Sequence, residues 1–193
     1  MPWEKSFDVE ETLDRAMQLF WARGYEATSM QTLVDCTGLH RGSLYATYGD
    51  KRALFIAALR RYDDSMRREL VSDLDARYSP REAIRQLFLA FVAQASEPGG
   101  SRGCFLTNTA LELAAHDPEI CRIVAHAQEQ IEAFFARLIR KGKAQAEIAT
   151  HVRPAETARG LLASLIGLVV LTRSRPDHSL LQSIVSDAIR RLD

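Results

Sequence analysis

Glycine and proline are scarce, at 10 and 6 of the 193 residues, and this scarcity leans the chain towards helices. The three cysteines, Cys36, Cys104 and Cys121, stand far apart with no CxxC pair, which excludes a disulfide framework and a zinc finger. Net charge is missing too. Lys and Arg total 25 against 25 Asp and Glu, so the chain is neither a wholly basic nucleic-acid coat protein nor an acidic tail protein. The most apolar run, Leu161 to Leu171, falls short of the about 20 residues that span a bilayer. The opening stretch MPWEKSFDVEETLDR lacks the apolar core of a signal peptide, so a soluble, cytoplasmic protein with no membrane partner is expected. His116, Cys121 and His126, five apart, spread around a helix instead of converging, so no metal site is expected. No nucleophile motif stands out, which argues against an enzyme, and no cofactor is implied. What remains is ordinary globular composition, 47% hydrophobic and 26% charged.

Apolar residues recur with a period of 3.6, and strand signals are almost absent. Val9, Leu13, Ala16 and Phe20 mark a first helix, which Gly24 is placed to end. Thr28-Ser29-Met30-Gln31 reads as a capping box for a short second helix that Thr37-Gly38 interrupts. A third short segment runs from Leu39 to about Ala46. Asp50 then caps a long helix from Lys51 to about Asp75. Ser79-Pro80-Arg81-Glu82 combines a second capping box with proline at the first helical position. Glu97 to Gly103 is the clearest loop, followed by a helix over about Cys104 to Ala115. Asp117-Pro118-Glu119 opens a long helix, Pro154 starts a nearly all-apolar one to about Thr172, and a last one follows Pro176. The chain is predicted to be all-α, with about nine helices.

The second and third segments matter most. A helix of about eight residues, a turn bearing glycine and another short helix form the helix-turn-helix pattern. Helices this short are marginal alone, so packing on the first and fourth must hold them. Leu33, Val34, Leu39 and Leu44 are placed to meet Leu13, Phe20 and Leu54 in such a core. His40, Arg41, Ser43, Tyr45 and Thr47 then point outward, a set rich in hydrogen-bonding groups and empty of acids. Gly42 inside a helix costs about 1 kcal/mol relative to alanine. Close approach of its backbone to another surface, such as the floor of a major groove, is one reason to keep it; a tolerated glycine in an exposed helix is the other.

The stretch from Ala16 to Ala57, above all GYEATSMQTLVDCTGLHRGSLYATYGDKRALF, resembles the DNA-binding domain of the TetR (tetracycline-repressor-like) regulators. The resemblance is carried by the Gly-aromatic step, the Thr-capped second helix, Gly38, Gly42-Ser43-Leu44-Tyr45, Tyr48 and Lys51. It implies a helix-turn-helix DNA-binding domain over residues 1–53 and a ligand-binding and dimerisation domain over residues 54–193. It also implies that His40, Arg41, Gly42 and Ser43 face bases, while Thr28, Tyr45, Tyr48 and Lys51 hold phosphates. The chemistry fits, since arginine can donate two hydrogen bonds to guanine, and hydroxyls and lysine suit phosphate oxygens.

For residues 54–193 the resemblance implies a small-molecule pocket and a homodimer interface made by the last two helices. The dimer has independent support. The helix over about 154–172 is apolar around most of its circumference and should be covered on two sides. Gly160, Ser164 and Gly167 are small enough for close approach, and the Leu180 to Ile189 stripe at about 178–191 completes a four-helix bundle between copies; a helix buried within one chain is the alternative. Candidates for the pocket are Phe88, Phe91, Phe105, Asn108, Leu111, Phe134 and Leu138, which would otherwise fill the core. Gly103-Cys104-Phe105-Leu106-Thr107-Asn108 resembles a motif of one branch of the family, in which the cysteine of some members senses electrophiles or oxidants. Cys104, at an expected helix start beside Arg102, is therefore a candidate sensor, or else a small core residue.

These features point to a homodimeric regulator of transcription, most simply a repressor of a palindromic operator on double-stranded DNA, released by a small-molecule effector or by thiol modification. The rival is a helical small-molecule-binding protein of the same fold that does not act through DNA. Neutrality does not decide between them, because residues 40–61 hold five bases (Arg41, Lys51, Arg52, Arg60 and Arg61) against Asp50 alone.

Overall fold

A computed structural model describes residues 8–96 and 100–193, so residues 97–99 of the expected loop and the charges Glu4 and Lys5 lie outside it. The described residues form helices joined by short turns, with no strand among them. They are α1 (Val9–Arg23), α2 (Met30–Thr37), α3 (Arg41–Tyr48), α4 (Lys51–Tyr62), a π-helical turn (Asp63–Arg67), α5 (Arg68–Arg77), α6 (Pro80–Ala95), α7 (Phe105–Glu112), α8 (Pro118–Ala144), α9 (Pro154–Ser174) and α10 (His178–Arg190). From α4 to α5 the backbone continues through the π turn as one rod. Counted so, the described residues carry the nine helices that the periodicity predicts.

The helix starts follow capping chemistry. Asp8 accepts from the backbone N–H groups of Glu10 and Glu11, and Asp50 from that of Ala53 at 2.7 Å. Asp117 accepts from Glu119 and Ile120, and Asp177 from Leu180. Two expected capping boxes are not formed. At α2 the cap is Ser29, whose hydroxyl accepts from the Thr32 N–H at 3.0 Å, while Gln31 turns outward to donate to Asp35. At α6 Ser79 makes no side-chain cap bond, and Glu82 instead receives Arg85 and Gln86; proline at the first helical position removes one N–H that would need a partner. The third segment starts at Arg41, two residues later than the apolar pattern suggests, which leaves His40 just before the helix.

Two cores lie along the rod. The first joins α1 to α4 with Phe105 and Leu106 of α7 and with Ile120, Val124 and Ala127 of α8. Edge-to-face aromatic pairs run through it: Phe20 with Phe55 at 5.0 Å, Phe55 with Phe105 at 5.4 Å, and Tyr62 with Phe105 at 5.7 Å. The second core joins α5 and α6 to the rest of α8, α9 and α10, with Phe88 stacked on Phe135. The π turn falls where the rod passes from one core to the other. A π turn adds one residue to the helical step and so re-phases the faces on either side of it. The apolar helix α9 is 21 residues long, longer than the run Leu161 to Leu171, and by length and composition it could cross a membrane. Here it packs against α6, α8 and α10, with Leu161, Leu165, Leu168 and Val169 buried in the second core.

Two polar straps tie the N-terminal helices to α7 and α8. Arg52 of α4 donates two hydrogen bonds to Asp117, at 2.6 and 2.9 Å, and a third to Glu119 at 3.0 Å. Glu112, at the end of α7, accepts from the backbone N–H groups of Tyr25 and Glu26 in the α1–α2 turn. Gly24 is required there. Its φ is +83°, and a Cβ would stand 2.8 Å from the Glu112 carboxylate.

Candidate DNA-recognition surface and ligand cavity

His40, Arg41, Gly42 and Tyr45 lie exposed at the start of α3 and on its outer face, with Ser43 half-buried beside them. Leu44 points the other way, fully buried against Leu33 and Leu54, and so sets the roll of the helix. A Cβ at Gly42 would meet nothing within 4 Å, so packing inside the chain does not demand this glycine. The Arg41 guanidinium lies over the ring of Tyr45, 5.6 Å from its centre, and Lys51 sits 4.1 Å from the centre of the Tyr25 ring. Neither has a carboxylate partner among the described residues.

Two residues expected at phosphates are placed differently. Thr28 is fully buried, and its hydroxyl donates to the Gly24 carbonyl at 2.6 Å, because the helix starts at Ser29 and turns Thr28 inward. Tyr48 is half-buried, its phenol donating to the Val9 carbonyl at 3.0 Å, and burial raises its pKa. Ser29, exposed at the start of α2, was not singled out by the motif. The basic excess over residues 40–61 is also largely spent within the chain. Arg52 is bound to Asp117 and Glu119, Arg60 to Glu119, and Arg61 to Asp14 and Glu10.

An apolar cavity of about 290 Å³ lies where the two cores meet. Trp21 of α1, Tyr62 of α4 and Arg67 of the π turn form one side of its wall; Phe91 of α6, Cys104 and Leu165 of α9 contribute to the rest. Of the residues expected to bind a ligand, Phe91 and Cys104 are therefore in the wall. Phe88, Phe134 and Leu138 are buried in the second core instead, Phe88 on Phe135 and Phe134 beneath the guanidinium of Arg137. Phe105 fills the first core between Phe55 and Tyr62. Asn108 donates to the Arg102 carbonyl, and Leu111 is 70% exposed; both border a separate depression near Arg173. The sequence reasoning missed Trp21 and Tyr62. The available signal was position, since Trp21 falls outside the Leu13–Ala16–Phe20 stripe of α1 and had to face something else.

Cys104 stands just before α7, as its N-cap residue. Tyr62 lies beside it in the wall; burial above all, with the neighbouring Cys104 second, pushes the Tyr62 phenol well above its usual pKa. Arg102 does not face the thiol as its sequence position suggests. Its guanidinium lies 4.3 Å from the centre of the Trp21 ring and donates to Gln18 at 2.6 Å.

Residues 13–58 match the family of bacterial regulatory proteins called tetR, and residues 80–187 match the tetracyclin repressor-like C-terminal domain. The HTH-type transcriptional regulator YezE of Bacillus subtilis strain 168 is 34% identical over 190 residues, 98% of either chain. The HTH-type transcriptional repressor ComR of Escherichia coli K12 is 29% identical over 96% of this chain and 89% of its own. Among solved structures, a cysteine mutant of the TetR family regulator CifR, complexed with 26-bp double-strand operator DNA, superposes with a TM-score of 0.85. It is 28% identical and covers 98% of this chain and 99% of its own. The exposed helix-turn-helix, the helical second unit and these matches over nearly the whole length lead to one assignment: the chain belongs to the TetR family of DNA-binding transcriptional regulators.

Proposed function

We propose that the chain is a homodimeric repressor that reads a palindromic operator through α3 and is released by a small molecule in the cavity, or by modification of the Cys104 thiol in its wall. Residues 1–53 serve DNA, and residues 54–193 serve effector and dimer. In this reading the protein works in the cytoplasm. The observation that carries it is the presence of Trp21 of α1 and Tyr62 of α4 in the cavity wall, on the two helices against which α2 and α3 pack. An occupant of the cavity therefore acts on the supports of the reading head. It shifts the arrangement of α3 only as far as its affinity differs between two states, and DNA must weaken its binding by the same factor.

The pairing of copies is supported by α9 and α10. Ala163, Val170 and Ile184 are exposed or half-buried apolar side chains, and a Cβ at Gly167 would meet nothing within 4 Å. Two copies paired there present two α3 helices to successive major grooves, which is the geometry a palindrome answers. ComR is a repressor, and CifR is seen on operator DNA; both likenesses favour the same role here.

Footprinting of the DNA upstream of the chain's own and adjacent genes tests the proposal. Protection of a two-fold symmetric site, lost steeply with added salt, is the expected result. Quinone or mild hypochlorite should release the complex of the unaltered chain and leave that of Cys104→Ala bound; equal release of both sinks the thiol route. If no site is protected and Arg41→Ala changes nothing, the chain is a helical ligand-binding protein that does not act through DNA.

A further inference from the structure

The cavity wall is specific about what it can hold. Resting on the reading of the cavity as an effector site, we infer that its ligand is a small, uncharged, mostly apolar molecule bringing one hydrogen-bond acceptor to the indole N–H of Trp21. Size comes first. A volume of about 290 Å³ sits at the low end of small-molecule sites, room for roughly a dozen non-hydrogen atoms.

Charge comes second. Among the described residues Arg67 is the one charged side chain in the wall, and it donates through two nitrogens to Asp63, four residues earlier across the π turn. Both side chains are about one-tenth exposed, so the pair acts as a neutral unit. A ligand carboxylate would have to share Arg67 with Asp63, which already offsets the guanidinium charge, so the occupied site would carry an uncompensated buried negative charge. A ligand cation would face Arg67 with no free carboxylate among the described residues of the wall. The other polar groups, Gln94, Thr107 and Gln128, carry no charge.

The acceptor comes third. The Tyr62 hydroxyl, with Cys104 and the Phe105 N–H beside it, is not left among the unpartnered buried atoms. Trp21 differs. Its ring is stacked under Arg102 and meets Tyr62 edge-on at 5.0 Å, yet its Nε1 is buried without an acceptor among the described residues. Buried indole N–H groups ordinarily find a partner. The residue is only 6% exposed, so bulk water does not supply that partner. Trp21 borders this cavity as well as the depression near Arg173, and a small shift of the side chains packed on Nε1 would open it to an acceptor held in the cavity. Because Trp21 belongs to α1, this hydrogen bond would join the ligand to the DNA-binding unit.

Three probes of matched size separate the requirements: 1-tetralone, neutral with a carbonyl; tetralin, neutral without one; and 1-naphthoate, an anion. In calorimetric titrations of the DNA-free full chain, 1-tetralone should bind at least tenfold more tightly than either of the others. In Trp21→Phe, which keeps a ring and deletes the N–H, the preference over tetralin should fall within twofold while tetralin itself binds as before. Should that variant fail to fold, the unaltered chain decides by nuclear magnetic resonance. The Trp21 indole proton, told from that of Trp3 by a Trp3→Phe variant, should move downfield with 1-tetralone and not with tetralin. Equal affinity for tetralone and tetralin, tightest binding of naphthoate, a preference that survives in Trp21→Phe, an unmoved indole proton, or no binding of any probe would each overturn the assignment. Operator release is measured separately. Tetralone that binds with the Trp21 signature but leaves the operator complex intact upholds this assignment and overturns the effector reading. Naphthoate that releases DNA without that signature does the reverse.

Discussion

α3 keeps His40, Arg41 and Gly42 outside with nothing packed over them, whereas the cavity takes its wall from α1 and from every helix between α4 and α9. The first region is local: eight residues, one buried anchor in Leu44, and an outer face whose groups answer to a partner. The second is assembled from positions as distant in sequence as Trp21 and Leu165, and no short segment contains it. The contrast separates two kinds of functional surface. One is presented by a short helix and can change with little effect on folding; the other is a by-product of how two cores meet and is bound to stability.

The sharpest way to break that contrast is to strike a residue that ties the first core to the cavity wall. Phe105 is buried between Phe55 and Tyr62 and precedes the cavity residue Leu106. Phe105→Ala should cost about 3–5 kcal/mol of unfolding free energy, read by urea denaturation. Operator binding and probe binding should fall together. If operator binding survives at full strength, the recognition unit is independent of the cavity and the coupling argument fails.

The next effect is confined to the outer face. Arg41→Ala should weaken operator binding by about 1–3 kcal/mol and relax discrimination at one base step, with no change in thermal stability. Arg60→Ala is the control. Arg60 is held by Glu119, so its loss should leave the salt dependence of DNA binding unchanged, measured by fluorescence anisotropy across a salt series. A slope that falls by about one on removing Arg60 would show that the ion pair opens on DNA.

That pair of mutants also marks how far the sequence could be read. The helices and most of their ends were legible because apolar period and capping residues are local signals, as Asp50 and Asp117 show. The outer face of α3 was legible for the same reason. Burial of Leu44 determines which neighbours point outward. The basic excess was misread because Arg52, Arg60 and Arg61 find acids contributed by α1 and by the start of α8, up to 67 residues away, and composition within a window cannot register such partners. The cavity was the least legible feature. Phe88 and Phe91 share one stripe of α6, and periodicity marks both as buried; that Phe88 stacks on Phe135 while Phe91 borders a void depends on α8 and α9. Thr28 was misplaced by a single residue of helix phase.

A smaller effect tests the strap between the regions. Arg52 holds the Asp117 carboxyl well below the usual carboxylate range, with the Ile120 and Glu119 N–H groups helping. The folded chain therefore keeps that carboxylate charged at pH values where the unfolded chain has protonated it. Its stabilisation is present in full above about pH 4 and is lost as pH falls through that value towards the lower folded one. Asp117→Asn keeps a helix cap and removes the charge, so it should flatten the acid limb of the melting temperature between about pH 5 and pH 3. An unchanged limb would mean that the strap contributes nothing to holding α4 on α8.

The smallest effect has opposite signs in the two properties it touches, and this makes it the cleanest discriminator. Gly42 lies inside α3 with a helical backbone and with open space where a Cβ would be. Alanine there loses less backbone freedom on folding, so Gly42→Ala should raise stability by about 0.5–1 kcal/mol. If the glycine is kept only because an exposed helix tolerates it, operator binding should be unchanged or slightly improved. If it is kept because the backbone must approach the floor of a groove, the added methyl holds α3 off the bases, and affinity should fall while the melting temperature rises. A gain in stability with a loss in binding cannot come from unfolding, nor from a rearranged core, since nothing in the chain touches the site. It can come only from the partner, and it would identify the start of α3 as the surface that meets DNA.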